Sequence, residues 1–171
     1  MTPAGFHPTL GGMKRRLTEE DGRQALRNHI IEKAGAARVK YGFYIDYETI
    51  CRMLDDPDVV RYPVGIRFDA SPLEPGEFAY AQQLGESPSA GYCLFIHPYF
   101  ENQQENLPLL IAYHIVDINY GEIATSAEAE LFGATLLGLD VDAYYQALCE
   151  LADSMPGMTG EGGGSCSSCN C

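Results

Sequence analysis

The segment Tyr92-Cys93-Leu94-Phe95-Ile96-His97 is an apolar run of strand length, stopped by Pro98. It lacks the alternation of a half-exposed strand, which predicts a buried, central strand. Upstream, Val64-Gly65-Ile66-Arg67-Phe68 alternates apolar and polar residues and reads as a second strand. Glu77-Phe78-Ala79-Tyr80-Ala81-Gln82 is a third candidate, set off by the turn residues Pro72, Pro75 and Gly76 and by a loop from Gly85 to Gly91.

Helical signals flank these strands. Thr18 with Asp21 three residues on marks a helix start, after which Leu26, Ile30, Ala34 and Ala37 recur at helical spacing up to Gly42. Asp46 can cap a second helix carrying Ile50, Cys51, Met53 and Leu54, broken at Asp55-Asp56-Pro57-Asp58. Pro108 opens a third, which closes at Asn119-Tyr120-Gly121. Ser126 caps a fourth, 127–137, and Asp140 a fifth, 141–155. Helices, then strands, then three short helices is an α+β order. The expectation is a small antiparallel or mixed sheet with N-terminal helices and three C-terminal helices, plus a disordered C-terminal tail. Residues 1–16 read as a flexible N-terminus, 17–156 as a single α+β domain, and 157–171 as a flexible Gly-rich tail.

Charge narrows the function. All eleven basic residues lie between Lys14 and Arg67, against nine acids. From Phe68 onward there are fifteen acids and no Lys or Arg. Such a surface repels phosphate, so no nucleic-acid partner is expected. It attracts cations or a protein partner with a basic surface, or it receives the basic N-terminal helix in docking. No apolar run approaches a membrane span, and 1–17 lacks a signal-peptide pattern, so no membrane partner and a cytoplasmic location with reduced thiols are expected. Oligomeric state is not legible.

The chemistry concentrates in Cys166-Ser167-Ser168-Cys169-Asn170-Cys171, which follows the run Gly160-Glu161-Gly162-Gly163-Gly164-Ser165. Thiolates suit zinc, copper(I) and iron–sulfur species. Cys166, Cys169 and Cys171 at C-x-x-C-x-C spacing supply three metal donors, one short of a closed zinc site. The fourth can come from the terminal carboxylate, a histidine of the body, or a second chain. Three donors on a glycine tether suit capture and hand-over. The same thiols can form a disulfide or carry a persulfide, but no helix N-terminus lowers a thiol pKa there. Cys51, Cys93 and Cys149 sit in apolar segments and read as buried packing residues. Tyr144-Tyr145 reads as one buried and one exposed ring.

The body offers a weaker constellation: His97-Pro98, then His114 and Asp117 three apart on one helix face, then Glu122 and Glu128. A histidine with carboxylates can hold a metal or do acid–base work at His114, Asp117 and Glu122, with His114 and Glu128 as metal ligands. The bland alternative makes His114 a core histidine bonded to Asp117. The element order over residues 40–140, together with Glu128-Ala129-Glu130-Leu131-Phe132-Gly133-Ala134-Thr135-Leu136-Leu137, resembles the ImmA/IrrE group of zincin metallopeptidases and its E-A-x-x-F-A-x-x-L-L segment. The resemblance implies a metal-ligand role for Glu128. The zincin H-E-x-x-H motif is replaced by His114-Ile115-Val116-Asp117-Ile118, with isoleucine at the base and second-ligand positions, so a relative of this kind is peptidase-dead and kept for binding. The Gly/Ser/Cys/Asn tail is also similar in composition to the cores of thiazole/oxazole-modified microcin precursors, in which it is a modification substrate. The leading reading is a metallochaperone-like, non-catalytic accessory protein that binds or transfers a soft metal, or sulfur, through its tail. The alternatives are a degenerate zincin-like domain or hydrolase at His114, and a modified precursor.

Overall fold

The computed structural model describes residues 18–157. Two helices, α1 (Glu19–Tyr41) and α2 (Tyr47–Leu54), lead into strands β1 (Val64–Phe68), β2 (Ala79–Gln83) and β3 (Tyr92–Ile96). Three more helices follow: α3 (Leu107–Tyr120), α4 (Ser126–Leu137) and α5 (Val141–Ser154). The fold is α+β, in the order read from the sequence.

β3 is the central strand, with β1 parallel on one side and β2 antiparallel on the other, so the sheet is mixed. Its register aligns Ile66, Leu94 and Ala81 in one row and Phe68, Ile96 and Ala79 in another. Leu94 and Ile96 are fully buried beneath the helices. The expectation of full burial fails on the other face. Cys93 and Phe95 are only half-buried, beside exposed Gln82, Arg67 and Tyr80. Centrality needs a neighbour on each edge, whereas burial of both faces needs a second covering layer, and no element among the described residues supplies one.

Side chains set the helix starts. The Thr18 hydroxyl accepts the Asp21 N–H at 3.2 Å, and the Asp21 carboxylate accepts the Thr18 N–H at 2.8 Å. Donation to the Asp21 carboxylate from the Thr18 N–H, and from the Thr18 hydroxyl at 2.9 Å, holds that carboxyl below its ordinary pKa. The Asp46 and Asp140 carboxylates accept the Thr49 and Ala143 N–H groups in the same way. α4 departs by one residue from the expected cap. Thr125 is the cap, and Glu128 closes the box by accepting from the Thr125 N–H and hydroxyl.

α1 docks on α4, as a basic helix meeting the acidic half would. The contact is apolar, however: Ile30, Ala34 and Ala37 are the buried residues of α1. Lys40 pairs instead within its own half, with Asp56 at 2.7 Å and Asp58 at 3.3 Å. Arg38 reaches across to a backbone carbonyl, that of Leu136, at 2.9 Å.

Eleven of the fourteen residues of α3 are buried, which makes it the central helix. α4 packs on α3, and α5 packs on both. Tyr144 of α5 is 0 % exposed and donates its hydroxyl to the Leu109 carbonyl of α3 at 2.6 Å. Its ring fills a notch at Gly133 of α4, where an added Cβ would lie 2.2 Å from ring atoms. Burial raises the Tyr144 phenol well above its ordinary pKa, so it stays a neutral donor.

Gly133→Ala forces the ring from its notch and lowers stability in urea by about 3 kcal/mol, or prevents folding. Gly35→Ala in α1 meets nothing within 4 Å and raises stability by about 0.5–1 kcal/mol. Equal effects of the two changes would contradict the notch. Asp56 accepts from Lys40 at 2.7 Å and Tyr41 at 2.8 Å, which lowers its carboxyl pKa to about 2. A depressed pKa stabilises above the unfolded value of about 3.9, and the contribution is lost as pH falls through about 2. Asp56→Asn should therefore lose about 1–2 kcal/mol at neutral pH, with Lys40 half-exposed and screened, and the gap to wild type should close near pH 2 in denaturation profiles.

Candidate functional site

Cys166, Cys169 and Cys171 lie outside the described residues, but the point from which the chain leads to them is described. α5 ends at Ser154, and Met155 turns into the core, 3 % exposed. Gly157 takes φ +101, a conformation that favours glycine. Met155, Pro156 and Gly157 form one wall of a hollow of about 320 Å³, and His97 and the 70–76 loop form the rest. That loop is fixed locally. Asp69 accepts from the Ser71 hydroxyl at 2.6 Å and N–H at 2.9 Å, and Glu77 accepts from the Glu74 N–H at 2.9 Å.

His97 is positioned at both ends. Its backbone N–H donates to the Phe78 carbonyl at 2.8 Å, and its Nδ1 accepts the Tyr99 N–H at 3.2 Å, capping the 3-10 turn Pro98–Phe100. A neutral imidazole that accepts at Nδ1 carries its proton at Nε2. The ring therefore offers an N–H donor suited to an anion such as a thiolate. To ligate a metal through Nε2 it must move that proton to Nδ1 and give up the Tyr99 bond. Nine residues lead from Gly157 to Cys166, a span of at most about 32 Å, so the hollow is within reach of the thiols.

The body constellation is assembled only in part. His114 is 7 % exposed, with its Nδ1 3.4 Å from the Asp117 carboxylate. Its ring packs edge-on against Phe78 and Tyr113. Neither ring nitrogen has a hydrogen-bond partner, so the expected neighbour is present but the expected bond is not. Glu122 stands exposed on the 3-10 turn Gly121–Ile123. Glu128 is buried and committed to Thr125. Burial alone would raise its carboxyl pKa, but the Thr125 bonds outweigh it and hold the group below its ordinary value. Among the described residues, no three His, Cys, Asp or Glu side chains stand together where they could hold a metal ion.

Cys51, Cys93 and Cys149 are half-buried rather than buried. Burial raises the Cys51 thiol above its ordinary pKa, which keeps it protonated and unreactive. Two roles escaped the sequence reading. Thr125-Ser126-Ala127-Glu128 carries a capping-box signal that assigns Glu128 to the helix start. His97 was grouped with the His114 constellation, whereas its position beside Gly157 is a long-range fact that the sequence does not carry.

An unbonded buried imidazole is costly, and replacement by an apolar side chain of similar size relieves that cost. His114→Leu should leave stability within about 1 kcal/mol of wild type or raise it, by urea denaturation. A loss above about 2 kcal/mol would mean that a partner satisfies the ring in solution. No protein-family model, curated protein or solved structure matches this chain.

Proposed function

We propose that this is a non-catalytic accessory protein that binds or hands on a soft metal, or sulfur, through Cys166, Cys169 and Cys171. The observation that carries the reading is the C-x-x-C-x-C spacing. Three thiolates hold zinc or copper(I) firmly yet leave a tetrahedral site one ligand short, and an acceptor protein can enter there. The hollow beside Gly157 supports it, because the Nε2–H of His97 can carry the charge of a tail thiolate before metal arrives. The folded body then serves recognition. Its acidic residues favour a partner with a basic surface, met in the cytosol.

A second reading places a degenerate zincin-like metal site in the body. It is favoured by His114, whose two buried nitrogens make no hydrogen bond, since a group of that kind calls for an explanation such as a bound ion.

One experiment separates the two. The full chain is purified anaerobically, and its metal content and intact mass are measured beside a variant lacking residues 166–171. About one zinc or copper per chain, lost on deletion, is the expected result. Metal that survives the deletion would move the site to the body. A mass deficit near 18 Da per Cys or Ser (about one water each) would instead identify the tail as a modification substrate.

A further inference from the structure

We propose that the hollow between the start of β3 and the C-terminal end of α3 binds a small planar molecule carrying one carboxylate on an aromatic ring. The hollow measures about 290 Å³, at the lower end of small-molecule sites. Arg61, Tyr62, Gln83, Tyr92, Tyr120 and Ile123 line it. The Tyr62 and Tyr92 rings lie 6.0 Å apart at a tilt of 38°, and the Arg61 guanidinium stands 5.6 Å over the Tyr120 ring. One cation is thus set among three aromatic walls.

The arrangement is fixed from below. Asn119, 9 % exposed, accepts the Arg61 backbone N–H at 2.8 Å and donates to the Val59 carbonyl at 2.8 Å. This clamp ties the segment bearing Arg61 and Tyr62 to the end of α3. On the other side, the Tyr92 N–H donates to the Pro63 carbonyl at 2.8 Å, which holds Tyr92 beside Tyr62. Gly91 permits that approach. Its φ is +94, and a Cβ there would lie 2.8 Å from the Pro63 carbonyl oxygen.

Charge selects the ligand. The chain carries net −13, yet no Asp or Glu lines this hollow among the described residues, and no described carboxylate pairs with Arg61. A guanidinium fork matches a carboxylate with two parallel hydrogen bonds, and tyrosine faces accept a flat ring. With no second basic side chain in the lining, a monoanion is matched better than a phosphate dianion. Burial raises the Tyr92 and Tyr120 phenols above their ordinary pKa, so neither opposes an anion with a charge of its own. Arg61, Tyr62 and Tyr92 also line an adjoining hollow of about 440 Å³, which leaves room for a substituent on the ring.

The test titrates the full chain with 2-naphthoate and follows backbone amide resonances. Binding with Kd below about 1 mM is expected, with shifts confined to Arg61, Tyr62, Gln83, Tyr92 and residues 118–123. Arg61→Gln should weaken binding by roughly tenfold or more, and Arg61→Lys by less. Neither should move the thermal midpoint, because Asn119 grips the backbone of residue 61 and not its side chain. Neutral 2-naphthamide should bind at least about tenfold more weakly than the acid. Equal affinity of Arg61→Gln and wild type, equal affinity of amide and acid, tighter binding of 2-naphthyl phosphate, or no shift at these resonances would each overturn the assignment.

Discussion

The position of every helix after the sheet depends on one ring in one notch. Tyr144 can lie against α4 only because residue 133 has no side chain, and its hydroxyl then reaches the first turn of α3. A buried phenol needs a partner, and the Leu109 carbonyl provides it without leaving the helix ladder. The ring alone contributes about 2–3 kcal/mol by burial. It also fixes the rotation of α5, which presents Leu148 and Ala152 to the core on the same stripe as Tyr144. α5 therefore ends where Met155 can bury itself, and the chain leaves the described fold beside His97.

α3 is anchored at both ends by polar contacts in an otherwise apolar setting. Tyr144 holds its first turn and Asn119 its last. With eleven of its residues buried, the helix is insensitive to rotation about its axis, so these two contacts supply the orientation that apolar packing does not. The same orientation puts His114 against Phe78 and places Tyr120 under Arg61. The two hollows at opposite ends of β3 are thus consequences of one helix placement.

Much of the fold was legible because its signals are local. Thr18 with Asp21, Asp46 and Asp140 mark helix starts through side chains that bond their own first turn, and Pro108 marks one by the absence of an N–H that the first turn leaves unpaired. The central place of β3 was legible from its apolar run, but burial of its second face was not, since that depends on a layer elsewhere in the chain. The docking of α1 was inferred from charge and occurs through Ile30, Ala34 and Ala37. Burial decided that contact, with the ions kept apart where water solvates them. At the candidate sites the proximity of His114 and Asp117 was legible from helical spacing, and so was the Glu128 cap, since Thr125 with Glu128 three residues on is a capping-box pattern. The missing His114 bond and the Arg61 hollow were not, because they are set by side-chain geometry or by residues about thirty or more apart in sequence, which no spacing rule reports.

The central functional claim is that soft-metal chemistry resides in the three thiols Cys166, Cys169 and Cys171. Anaerobic titration with cobalt(II), a coloured stand-in for zinc, measures it directly, because sulfur ligation produces thiolate-to-metal charge-transfer absorption. The full chain should develop that absorption with a break at about one equivalent, and replacement of Cys166, Cys169 and Cys171 by serine should abolish it. Absorption that persists in the triple-serine chain, or that never develops in the intact one, would contradict the claim.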